Sequence, residues 1–120
     1  MLKIGNKTYG LLFTVRARIE ISKLAGHSMQ DFFNALGKDE EQSVNLLIDA
    51  VELLHNAYLR AKALEDGKEY EAVELNREEF LDLTPKAWAD VENSIIAAIK
   101  GDSEQTIETS AKKKAGEKAN

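Results

Sequence analysis

The sequence predicts a mainly α fold, with a short N-terminal β-hairpin packed on a bundle of four to five helices and a flexible charged tail. Three observations carry this prediction. A Gly5-Asn6 turn lies between short apolar stretches. Apolar residues over 40–64 recur at i, i+3, i+4 and i+7, the period of a helix. Capping residues such as Thr14, Ser28 and Thr84 stand immediately before apolar runs. Residues 1–101 read as one domain and 102–120 as the tail.

Leu2 to Ile4 and Thr8 to Phe13 read as the two strands, because Gly5 and Asn6 tolerate the positive φ of a tight hairpin turn. Tyr9, Leu11 and Phe13 fall on one face of the second strand. A two-stranded hairpin is marginal by itself, so it must pack on helices or pair with a second copy. Thr14 caps the next helix, whose apolar side carries Val15, Ile19 and Leu24, with Gly26 as a left-handed stop. Ser28 caps a short helix with Phe32, Phe33 and Leu36, which Gly37 ends.

The helix over 40–64 is the centre of the fold. Val44, Leu47, Ile48, Val51, Leu54, His55 and Tyr58 form one apolar stripe. Leu46, Ala50, Leu53, Ala57, Ala61 and Leu64 form a second, roughly 120° away. Asn45, Asp49, Glu52, Asn56 and Arg60 leave a narrow polar strip. Such a helix lies between others or offers a stripe to a partner. Asp66-Gly67-Lys68 ends it, and 68–75 is compatible with loop, strand or helix. Asn76 with Glu79 fits a capping box for a short helix carrying Phe80, Leu81 and Leu83. Thr84-Pro85 starts the last helix, which buries Trp88, Val91, Ile95 and Ile99 and closes at Gly101. Beyond it the tail has one large apolar residue, Ile107, too little to offset its ordering entropy.

Composition narrows the function. The 120 residues hold 16 Lys or Arg and 21 Asp or Glu, a net charge of −5. The tail's charges cancel, so the whole excess sits on 1–100, which disfavours a general nucleic-acid binder. There are no cysteines, which excludes disulfides, a thiol nucleophile and Cys-ligated metal. His27 and His55 have no metal-ligand spacing, so no metal or other cofactor is expected. The acids Asp39-Glu40-Glu41 and Glu78-Glu79 fall at helix starts, where they complement the macrodipole. No phosphate loop, dinucleotide fingerprint or nucleophile elbow is present, and an enzyme is not expected. The start of the chain has no secretory pattern, and no apolar run approaches the ~20 residues of a membrane span, so a cytoplasmic protein is expected.

Residues 19–36 imitate a helix-turn-helix, which makes a small DNA-binding regulator the alternative reading. The would-be recognition helix carries Asp31, Phe32 and Phe33 without Arg or Lys, the wrong chemistry for phosphates and base edges. Trp88, the only tryptophan, is either core or an interface anchor. Lys112-Lys113-Lys114 serves solubility or draws an acidic partner.

The order of these features resembles a known family. Ile4-Gly5-Asn6-Lys7-Thr8-Tyr9 through Phe13-Thr14-Val15-Arg16-Ala17 looks like the hairpin and helix start of tail assembly chaperones of long-tailed bacteriophages and prophages. Leu24-Ala25-Gly26-His27-Ser28-Met29-Gln30-Asp31-Phe32 is similar to their helix junction. Leu75-Asn76-Arg77-Glu78-Glu79-Phe80-Leu81-Asp82-Leu83 is similar to a further segment, with Asn76 in place of the usual Thr. The resemblance implies a non-catalytic protein of the host bacterial cytoplasm. It binds the long helical tape measure protein before the tail tube protein polymerises around it, and it is absent from the mature virion. It also implies that a longer form can arise by ribosomal frameshifting, and the gene around Lys112 would show this. Leu46, Leu53, Ala57 and Leu64 are then the expected groove for a partner helix or a second copy, with Trp88 as a further partner-binding residue. The competing reading is that the last helix, with Trp88, covers this stripe. Strand addition at the hairpin's edge is a second route to a homo-oligomer.

Overall fold

The chain opens with β1 (Leu2–Ile4) and β2 (Lys7–Tyr9), paired antiparallel with Leu2 opposite Tyr9 and Ile4 opposite Lys7. In the computed structural model, which describes residues 1–101, Gly5 takes φ 59°, a conformation that favours a residue without Cβ. The tail over 102–120, with Lys112-Lys113-Lys114, lies outside the described residues. The second strand is shorter than the predicted 8–13 because the chain leaves the sheet at Gly10 to dock on a helix. The His55 Nδ1–H donates to the Gly10 carbonyl at 2.9 Å, and the Leu12 N–H donates to the Leu54 carbonyl at 3.1 Å.

Among the described residues five helices follow: α1 (Val15–Ser22), α2 (Met29–Ala35), α3 (Glu40–Asp66), α4 (Arg77–Leu81) and α5 (Pro85–Lys100). Their N-caps are Thr14, Ser28, Asp39, Asn76 and Thr84, each accepting a backbone N–H of the first turn. Gly67 and Gly101 are left-handed C-caps, at φ 68° and 79°. Gly26 and Gly37 are not, contrary to expectation. Lys23 and Leu36 end α1 and α2 in right-handed conformations. Gly26 is small for another reason: the Asp31 carboxylate occupies the space a Cβ would need. The capping box at α4 is also incomplete. Asn76 Oδ1 accepts from Glu78 N–H at 3.1 Å, but Glu79 turns to the hairpin and pairs with Lys7 at 2.7 Å.

The fold is mainly helical around α3, whose buried residues include members of both predicted stripes, among them Leu46, Ile48, Val51 and Leu54. Phe32, Phe80, Ile21 and Ile95 join them in one apolar cluster with the hairpin's Leu2 and Tyr9. On α5, Val91 and Ile95 are buried as predicted, while Trp88 and Ile99 are only half-buried. Burial of α1 is turned relative to the prediction. Ala17 and Ile21 are 1% and 0% exposed, whereas Val15 and Ile19 are 77% and 49% exposed. At about 100° per residue the two pairs lie on nearly opposite sides of the helix.

Residues 68–76 form no regular element, yet they are held in register. They run back along the polar strip of α3 as a strap. The Arg60 guanidinium lies 4.1 Å from the centroid of the Tyr70 ring. Asn56 donates to the Val73 carbonyl at 2.8 Å and accepts its N–H at 2.7 Å. Glu52 accepts the Leu75 N–H at 3.3 Å, and Arg77, just after the strap, reaches Asn45 Oδ1 at 3.0 Å and the Asp49 carboxylate. The match is geometric. Successive strip residues, three or four apart, rise about 4.5–6 Å along the helix, and the two-residue steps from Val73 to Leu75 to Arg77 advance about 6.5 Å each in extended chain.

Removing the strap's central tether should loosen it selectively. Asn56→Ala is expected to cost about 1 kcal/mol in urea unfolding and to speed amide exchange at Val73 far more than at Leu54. Gly10→Ala should be worse. The new Cβ would sit 2.5 Å from the Tyr58 ring, so a loss of about 1–3 kcal/mol is expected in the same measurement.

Candidate functional site

The predicted partner-binding residues do not form one surface. Leu46 and Ala57 are buried, Leu53 and Trp88 are half-buried, and Leu64 is 84% exposed. The stripe is therefore core along its first part and open only at its end. Length is the physical reason. The 27 residues of α3 rise about 40 Å, against about 24 Å for the 16 residues of α5, so among the described residues no other helix covers α3 from end to end.

At that end, Ala57, Ala61 and Leu64 meet Val15 at the start of α1. Tyr70 and Lys68, at the start of the strap, close the far wall. The result is an open, mainly apolar groove of about 460 Å³. A second, shallow concavity shares Val15 and Arg16 with it and runs along the outer face of α1 past Ile19 to Lys23. Val15 and Ile19, expected to face inward, are thus part of the exposed surface. The sequence held a signal for this. Val15, Ala17, Ile19 and Ile21 alternate along α1, so both of its sides are apolar and one must face outward.

The groove's charge is opposite to that of the chain. Arg16, Lys23, Arg60 and Lys68 line it, with Glu20 as the acid among its lining residues. None of these takes part in the ion pairs found among the described residues, which join Lys7 to Glu79, Lys62 to Glu65 and Arg77 to Asp49. The Arg60 contact with Tyr70 is worth about 0.5–1 kcal/mol at an exposed site and steadies the wall nearest Lys68.

His55 and Glu79 both brace the hairpin. His55 is 8% exposed, bonded to Gly10 and edge-on to Tyr9 at 5.0 Å between centroids. Glu79 ties the hairpin to α4. It raises the Lys7 pKa chiefly by hydrogen bonding, and it helps burial to raise that of Tyr9, whose hydroxyl lies 3.4 Å away. Among the described residues, no group of three or more His, Asp or Glu side chains is placed to hold a metal. No helix among them is long and apolar enough to cross a membrane.

The helix-turn-helix candidate at 19–36 resolves into α1, a turn and α2. On α2, Gln30, Phe33 and Asn34 face solvent, and Gln30 bonds to Asn34 at 3.0 Å. Asp31 is engaged within the turn, where its carboxylate accepts the His27 N–H at 2.8 Å. That bond, aided by Ser28 and opposed by desolvation, holds the Asp31 carboxyl below the ordinary carboxylate range.

The folded state therefore binds this proton less readily than the unfolded chain. Its stabilising contribution is complete above the unfolded pKa of about 3.9 and is lost as pH falls through the lower folded value. Asp31→Asn should flatten this part of the acid dependence. Melting temperatures measured between about pH 5 and pH 2 should fall less in the variant than in the wild type. Compared with known proteins, the chain matches no family model, no curated protein and no solved structure.

Proposed function

We propose that this chain is a tail assembly chaperone of a long-tailed phage or prophage, working by surface contact and not by bond-making chemistry. It would hold the tape measure protein in the host bacterial cytoplasm until the tail tube protein polymerises around it, and would leave before the particle matures. The observation that carries this reading is the groove with Val15, Ile19 and Leu64 exposed around it. A contiguous apolar surface of this kind on a small acidic domain suits capture of an amphipathic helix. The resemblance of 4–17, 24–32 and 75–83 to tail chaperones supplies the identity of that helix's owner.

The hairpin is the weaker candidate for contact with a second copy. Its strands have three residues each, about 10 Å of edge, which gives room for very few main-chain hydrogen bonds. The DNA-binding alternative gains no cation on the exposed face of α2.

Co-expression with the long helical reading frame next to the gene tests the proposal. The two proteins should co-purify, and Val15→Ser with Leu64→Ser should weaken the complex about tenfold or more. Both side chains are exposed, so the fold should tolerate the change. Failure to co-purify, turnover of a small molecule by the purified chain, or its presence in mature particles would overturn the reading.

A further inference from the structure

We infer that the groove between α1 and the end of α3 takes an acidic amphipathic helix. The inference rests on the reading of this surface as a partner site and names the chemistry of what fits there. Val15 and Ile19 stand one helical turn apart on the outer side of α1, the spacing at which a partner helix presents anchors at i and i+4. Leu64, on α3, lines the same groove as Val15. Cations stand on both flanks: Arg16 and Lys23 on the α1 side, Arg60 and Lys68 on the other. A helix with an apolar stripe bordered by Asp and Glu on each side satisfies both features at once.

The whole-chain charge of −5 selects among occupants. A second copy brings another −5 and is repelled at long range. An extended anionic surface, such as a bilayer or a nucleic acid, meets the same repulsion over the rest of the domain. A single helix meets chiefly the groove's own lining, in which four cations stand against Glu20, because charges act over about 8–10 Å at ordinary salt.

The probes are two synthetic helical peptides of about 18 residues, long enough to hold some helix. They share leucines at i, i+3, i+4 and i+7 and differ only in flanks of Glu or of Lys. Fluorescence anisotropy with the full chain should show the Glu peptide binding about tenfold tighter or more at low salt, with the difference shrinking as salt rises. Leu64→Ser should weaken the Glu peptide, and Arg16→Glu with Lys68→Glu should reverse the preference while leaving the circular dichroism unchanged.

Equal binding of the two peptides, no binding of either, or indifference to Leu64→Ser would overturn the inference. So would tighter binding of anionic phospholipid vesicles, or a concentration-dependent dimer that shields Leu64. The two proposals fail separately. If the tape measure protein co-purifies without dependence on Leu64, the chaperone reading stands and this site falls. If the Glu peptide binds as described and the tape measure protein does not, the site stands and the chaperone reading falls.

Discussion

A helix that is apolar around most of its circumference is stable in water only when nearly every side of it is covered, and α3 is such a helix. Its stripes are covered by the hairpin, α1 and α5. Its polar strip is covered in a different way, by a strap with no regular secondary structure. The strip residues take over the backbone partners that a second strand would have supplied to the strap. Asn56 does so most completely, since its amide both donates to and accepts from Val73. Of 68–76 only Leu75 is buried, so the strip's side-chain hydrogen bonds, and not burial, hold most of the strap against α3. Arg77 and Phe80 then fix α4 on α3 and in the core.

The hairpin depends on the same arrangement. Gly10 has no side chain, so the Tyr58 ring lies against the backbone and His55 reaches the Gly10 carbonyl. Glu79, delivered by the strap to the start of α4, then closes the circuit by pairing with Lys7 and meeting the Tyr9 hydroxyl. An exposed ion pair of this kind contributes little alone, and its effect here is to orient two elements distant in the chain. The marginal two-stranded hairpin is thereby held by a helix on one side and a side-chain bridge on the other.

The groove is a by-product of the lengths of these elements. α3 outruns its neighbours, α1 is apolar on two opposite sides, and the strap must begin beside the last turns of α3 before it can follow the polar strip. Leu64, Val15 and Ile19 are therefore left uncovered, while Leu46 on the same stripe as Leu64 is core. Arg16, Lys23, Arg60 and Lys68 outnumber Glu20 in the groove's lining, so the groove differs from the acidic chain as a whole in both polarity and charge.

Local signals decided much of this protein without any knowledge of its tertiary contacts. Thr14, Ser28 and Thr84 mark helix starts, because a short polar side chain can satisfy a first-turn N–H wherever the rest of the chain goes. Gly5, Gly67 and Gly101 mark reversals for an equally local reason, positive φ. The periodicity of 40–64 identified the central helix. Only the tertiary structure decided which side of α1 faces inward, since Val15 with Ile19 and Ala17 with Ile21 are both apolar pairs and it is Ala17 with Ile21 that enters the core. It alone decided where Glu79 points, what Gly26 makes room for, and how far along α3 its second stripe stays covered. Those outcomes depend on distances between residues far apart in the chain, which neither period nor propensity encodes.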